Sequence, residues 1–129
     1  MDYYFVGKNL SESDVASKLT LRIEWVGDGK LFPAPAPGLA VPIPSKDELG
    51  NDHTFMLKAR SLPTEADGGE RRYYMKPEFQ RREWHAYVVE KGLKAGDVIY
   101  FWWDARGFFR VQAHQPPRPY RLFGTNFLY

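Results

Sequence analysis

Residues 19–25 alternate strictly between apolar and polar. Leu19, Leu21, Ile23 and Trp25 are separated by Thr20, Arg22 and Glu24. A repeat of two belongs to a β-strand with one buried and one wet face, so a strand is predicted here with Thr20, Arg22 and Glu24 pointing outward together. Residues 54–60 repeat the pattern, with Phe55, Leu57 and Ala59 inward and Lys58 and Arg60 outward. Leu39 to Ile43 reads as a short strand that Pro42 confines to an edge or an end. Upstream, Ser11-Glu12-Ser13-Asp14 places an acceptor three residues after a hydroxyl, the pattern of a capping box. A short helix is expected there, preceded by a strand over Tyr3 to Val6.

Residues 61–72 contain Pro63, Asp67, Gly68 and Gly69 before Arg71-Arg72, which predicts a flexible loop running into a strand at Tyr73 to Met75. Pro77 suits the first turn of a helix, whose buried stripe would be Phe79, Trp84, Tyr87 and Val88. That helix should end near Lys91, with Gly92 as its left-handed terminator and Leu93 folding back. Ala95-Gly96-Asp97 turns into a strand from Val98 to Trp103. A hairpin at Asp104 to Gly107 returns as Phe108 to His114. Trp84 and Phe101 are expected in the core.

Pro33-Ala34-Pro35-Ala36-Pro37-Gly38 lacks alternate donors and reads as a stiff extended connector. Roughly seven strands and two short helices predict a mainly β chain closed into a small barrel. Residues 1–115 form one domain in this reading, and 116–129 an irregular tail.

With 129 residues and no cysteine, the chain is long enough for one core and excludes disulfides, thiolate zinc sites and thiol nucleophiles. Met1 to Leu10 carries Asp2 and Lys8 with no apolar stretch, so a secretory leader is not expected. No apolar run reaches the roughly 18–20 residues of a membrane span. A soluble intracellular protein is the expectation. Gly27-Asp28-Gly29-Lys30 lacks the spacing of a phosphate loop and is expected to be a hairpin turn. His53, His85 and His114 share no ligand spacing, and Asp47-Glu48 reads as a solvated loop pair. No metal, cofactor or catalytic residue is expected.

The net charge is only +2, but it is unevenly spread. Residues 1–57 hold five basic against eight acidic side chains, and residues 58–129 hold thirteen against eight. Lys58, Arg60, Arg71 and Arg72 flank one loop. If the strands on either side of it pair, these cations converge at its base and could contact phosphates and base edges. A solvated basic loop is the other reading of the same residues.

The stretch from Trp84 to Phe101, with Trp84, Tyr87-Val88, Lys91-Gly92-Leu93-Lys94-Ala95-Gly96-Asp97 and Val98-Ile99-Tyr100-Phe101, closely resembles the plant B3 domain family. Lys8-Asn9-Leu10-Ser11-Glu12-Ser13-Asp14-Val15 is similar to that family's opening motif. The two matches stand in the right order about seventy residues apart, and the resemblance covers roughly residues 5–114. It implies an open seven-stranded β-barrel with two short helices that grips the major groove of double-stranded DNA through two arms. It further implies transcriptional regulation in a plant nucleus. Carried onto this chain, the arms would offer Lys8, Ser13, Lys18, Thr20 and Arg22 from one side, and Lys58, Arg60, Ser61, Arg71, Arg72 and Tyr73 from the other.

The arms also depart from the family. The usual Gly-Lys-Leu-Asn-Arg-Leu-x-Ile-Pro is replaced by Ala16-Ser17-Lys18-Leu19-Thr20-Leu21-Arg22-Ile23-Glu24, and the second arm carries Glu65, Asp67 and Glu70. The alternative is therefore a diverged module that contacts other proteins through the Pro-rich segment and the aromatic tail, with little or no DNA binding.

Overall fold

The computed structural model describes residues 5–36, 38–65, 71–116, 120–122 and 125–127, with side chains placed in 5–36, 38–60 and 76–116. The elements in chain order are β1 (Phe5–Asn9), α1 (Glu12–Ala16), β2 (Leu19–Thr20), a 3-10 turn (Ile23–Trp25), β3 (Ala40–Lys46), β4 (Asp52–Glu65), β5 (Arg71–Phe79), α2 (Arg81–Lys91), β6 (Val98–Trp103) and β7 (Phe109–His114). A separate hairpin follows, β8 (Tyr120–Leu122) with β9 (Thr125–Phe127), where the sequence predicted an irregular tail.

The first seven strands form one curled sheet in the order β1-β6-β7-β3-β4-β5-β2. All its ladders are antiparallel except β3 with β7, which touch in parallel at the single pair Lys46 and Arg110. The sheet is thus nearly split into two halves along β3. Pro42 and Pro44 lie two apart on that strand, so their donor-less nitrogens share a side. The intact ladder to β4 puts that side on the open seam. A strand edge stripped of N–H groups in this way is a poor template for pairing with another chain.

Several predicted boundaries move, three of them for a plain local reason. The strand expected over residues 19–25 ends after Thr20. The Leu21 N–H donates to the Pro77 carbonyl at 2.9 Å, but Pro77 has no N–H to return and the ladder stops. The chain then winds into the 3-10 turn, which buries Trp25 but leaves Ile23, expected inward, 55% exposed. Pro77 and Phe79, expected in a helix, are strand residues of β5 facing Ala59 and Leu57. Helix α2 starts only at Arg81. The predicted loop 61–72 is largely ladder, which runs out to Thr64 with Arg72 and Glu65 with Arg71.

Strand β1 also runs on to Asn9, past the expected Val6, and β3 to Lys46, past the expected Ile43, whereas the end of α2 and strands β6 and β7 follow the sequence closely. Strand β6 has the expected bounds, and Gly92 terminates α2 at φ 63° while the Leu93 N–H reaches back to the Val88 carbonyl. The core is aromatic. Phe32, Phe55, Phe79, Phe101, Phe109, Trp84 and Tyr87 are all buried. Phe32 sits centrally with its ring 5.1–5.6 Å from those of Phe79, Phe101 and Phe109, in the tilted or edge-on geometries that aromatic pairs prefer.

Candidate nucleic-acid interface

Register alone lays out the candidate surface. Leu19, Phe79 and Leu57 are cross-strand neighbours on β2, β5 and β4, and all three are buried. One residue along each strand, Thr20, Glu78 and Lys58 form the next row and face the opposite way. Beyond it Arg60 stands across from Lys76. Lys58 and Arg60 are exposed, as their alternation with Leu57 and Ala59 predicted. Glu78 is a carboxylate lodged in the middle of this basic patch that the sequence reading missed. Its side chain is 7% exposed, and Oε1 lies 3.8 Å from Nε of Arg60, whose side chain is 51% exposed. No signal in the sequence alone placed it there, since its position follows from the register of β5 between β2 and β4.

The neighbouring arm is fixed by one buried aspartate. Ser11 and Asp14 form the expected capping box, with Asp14 N–H donating to Ser11 Oγ at 3.1 Å and Ser11 N–H donating to Asp14 Oδ2 at 3.0 Å. Asp14 does more than cap. Its Oδ1 accepts from Lys8 Nζ at 3.1 Å and the Thr20 N–H at 3.5 Å, and its carbonyl accepts from Trp84 Nε1 at 2.7 Å. Lys8 Nζ also donates to the Thr20 carbonyl. Since β1 and β2 are the two ends of the sheet order, Lys8 closes the barrel where no ladder does.

The site residues read from the sequence therefore separate. Lys8 has its ammonium turned onto Asp14 and Thr20, a structural task. Ser13 is exposed with its hydroxyl 3.1 Å from that of Ser11. Lys18 is exposed and has no hydrogen-bond or ion-pair partner among the described residues. Arg22 points to solvent beside Glu24 at 3.8 Å, an exposed pair of little energetic weight. Thr20, Lys58 and Arg60 come together with Glu78 and Lys76. The side chains of Ser61, Arg71, Arg72 and Tyr73 lie outside the described residues. Their backbone register is clear, and it separates Arg71 and Arg72 from the base of the arm. They pair with Glu65 and Thr64, about 17 and 13 Å along the strand from Arg60 at roughly 3.3 Å per residue. In backbone register the four cations are strung along the arm, Arg60 opposite Lys76, and Arg72 and Arg71 opposite Thr64 and Glu65.

A second buried aspartate corrects the reading of Asp47 as solvated, while Glu48 beside it is exposed as expected. Asp47 is fully buried. Its Oδ1 accepts the N–H groups of Leu49 and Asn51, both at 2.9 Å. Its Oδ2 takes His53 Nε2 at 2.8 Å and Lys91 Nζ at 2.9 Å. Its carbonyl accepts from Arg110 of β7 at 3.1 Å. Burial alone would raise its pKa, but the hydrogen bonds from His53, Lys91 and the two amides outweigh it and hold the carboxyl well below the usual range. Burial lowers the Lys91 ammonium, yet bonds to Asp47 and Glu48 raise it above its ordinary value. Asp47, His53 and Glu90 present ligand atoms within 4.8 Å of one another. The Lys91 ammonium already lies against Asp47 Oδ2, so the cluster is a saturated structural node.

A curled seven-stranded sheet with two helices, open along β3, is the B3-type pseudobarrel. Two solved structures from Arabidopsis share it. One is the FUS3–DNA complex, with a TM-score of 0.63 and 23% identity over 87% of this chain and 98% of that one. The other is the Arabidopsis thaliana hypothetical protein At1g16640.1, with a TM-score of 0.55 and 20% identity over 88% of this chain and 91% of that one. No family model and no curated protein matches the sequence.

Proposed function

We propose that this chain binds double-stranded DNA through the outer face of β2, β4 and β5, and does so sequence-specifically in the major groove. The observation that carries the reading is the patch of Lys58, Arg60 and Lys76 around Thr20, held on a rigid sheet, in a fold shared with a protein solved on DNA. Lysines on such a face supply charge to phosphates, and arginines can also fork onto guanine. Lys18 and Arg22 extend the patch from the β2 side. By strand alternation Arg72 continues this row along the arm, while Ser61, Tyr73 and Arg71 hold positions of the opposite parity on the same arm. Ser13 borders it at α1. Transcriptional regulation in a plant nucleus is the setting in which such binding acts, and the role is binding rather than catalysis.

Titration of duplex binding against salt tests the reading. A face that contacts phosphates gives a log–log slope of roughly one unit per contact. Replacing Arg71 and Arg72 with Ala should lower that slope if both reach the backbone, whereas an unchanged slope removes the arm's far end from the interface. Absence of duplex binding at near-physiological salt would favour the second reading, a protein-interaction module. That reading draws on the exposed aromatic surface of β1 and β6, where Phe5 stacks on Tyr100 with ring centroids 5.2 Å apart.

A further inference from the structure

A carboxylate is an unexpected occupant of a face that meets a polyanion. Glu78 nevertheless lies at the centre of the patch, between Thr20 and Lys58 in register and beside Arg60. A solvated glutamate would stand out among the exposed cations, but Glu78 is sunk beneath them. Its charge is therefore presented to its neighbours more than to an approaching duplex. At 3.8 Å from Nε the contact with Arg60 is an ion contact and not a hydrogen bond. It engages the Nε edge of the guanidinium, and among the described residues neither terminal nitrogen has a hydrogen-bond partner.

We infer that Glu78 is a positioning residue, which holds Arg60 by its Nε edge so that the terminal nitrogens face outward as a fork for the O6 and N7 acceptors of one guanine. The inference rests on the DNA-binding reading and adds to it the reader and its support. A guanidinium on a long side chain, half exposed, otherwise samples many orientations, and fixing it before contact reduces the entropy lost on binding. Lysine at the same position would keep the charge but lose the fork.

Selection from a randomised duplex pool at near-physiological salt tests this with the wild type, Arg60→Ala, Arg60→Lys, Glu78→Gln and the Arg60→Ala/Glu78→Gln pair. The wild type should prefer guanine at one position by roughly tenfold to a hundredfold, the range of a bidentate contact. Arg60→Ala and Arg60→Lys should each flatten that position. Glu78→Gln should flatten the same position while sparing the rest of the motif, and the double variant should lose no more than Arg60→Ala alone. Arg60→Lys and Glu78→Gln should keep the wild-type salt slope, a result that a general loss of structure would not give. The inference is overturned if Glu78→Gln keeps the guanine preference, weakens every position equally, or tightens binding uniformly as removal of a merely repulsive charge would. Should Glu78→Gln fail to fold, as thermal unfolding would reveal, a guanine preference retained by Arg60→Lys overturns the fork. A wild type that enriches no motif brings down the DNA-binding reading itself, and this inference with it.

Discussion

The curled sheet has two outer surfaces of opposite chemistry. Across β2, β5 and β4 the outward residues are Thr20, Glu78, Lys58, Arg60 and Lys76. Across β1 and β6 they are Phe5, Gly7, Tyr100 and Trp102, with the Phe5 ring 60% exposed and lying against the other two. The Tyr100 ring fits only because position 7 is glycine, where an added Cβ would sit 2.8 Å from ring carbons. One sheet with one aromatic core therefore carries a surface suited to polyanions and another suited to apolar contacts. The fold supplies the platform for both, and what lands on each is set by the outward residues. Two of the buried aspartates brace the sheet from different sides. Asp14 ties β1, α1, β2 and α2 behind the cationic side, while Asp47 ties the β3–β4 turn to α2 and, through Arg110, to β7.

Breaking these supports should show how much each contributes to the fold. Trp84→Ala removes a buried side chain and the donor to the Asp14 carbonyl, and should destabilise the fold by about 3–5 kcal/mol in denaturant titration. An unchanged unfolding midpoint would refute the packing assigned to Trp84. Asp47→Asn leaves the Lys91 ammonium without its buried counter-charge and should destabilise by about 3 kcal/mol at neutral pH. Because the folded carboxyl is depressed, its contribution is full above the ordinary aspartate value and is lost as pH falls below about 4. Wild-type stability should thus drop more steeply than that of Asp47→Asn between neutral pH and acid. Parallel curves would show that Asp47 is not the titrating support.

The surfaces themselves give smaller effects. Lys58→Ala with Arg60→Ala should lower the salt slope of duplex binding by roughly one unit for each phosphate no longer neutralised, whereas Tyr100→Ala with Trp102→Ala should leave it unchanged. The reverse outcome would move the interface to the aromatic side. Ser11→Ala removes the acceptor for the Asp14 N–H and should cost about 1 kcal/mol by thermal unfolding. No change would mean that the short helix α1 is held by Asp14 alone.

Period-two patterning was a sound guide wherever a strand had one buried face, as at Phe55, Leu57 and Ala59 or along β6. It misled at Ile23, because ladder propagation depends on a partner's N–H and Pro77, more than fifty residues away, has none to give. Pro77 itself looks like a helix opener, since a single sequence does not show that its N–H would have faced the end of a two-residue strand. Lys58 and Arg60 were legible as outward cations. Glu78 was not, because its meaning comes from the register of β5 between β2 and β4. Asp47 looked like any turn aspartate, and only the approach of Lys91 from α2 and Arg110 from β7 makes it a buried anchor. Lys8 looked free for a ligand until the curl of the sheet brought Thr20 to it.

The pairing of β1 with β6 bears on how the molecule is made. Partners in that ladder run from Phe5 with Trp102 to Asn9 with Val98, roughly ninety positions apart. The cationic side is built from residues 19–79 and needs nothing later in the chain for its strand pairing. During synthesis at about 5–20 residues per second, β1 therefore waits several seconds or more after leaving the ribosome before its partner exists. Throughout that interval Phe5 and Val6 sit on an unpaired edge while the β4–β5 hairpin can already form. Contacts so distant in sequence close slowly, so the last event in folding should be the docking of the first strand.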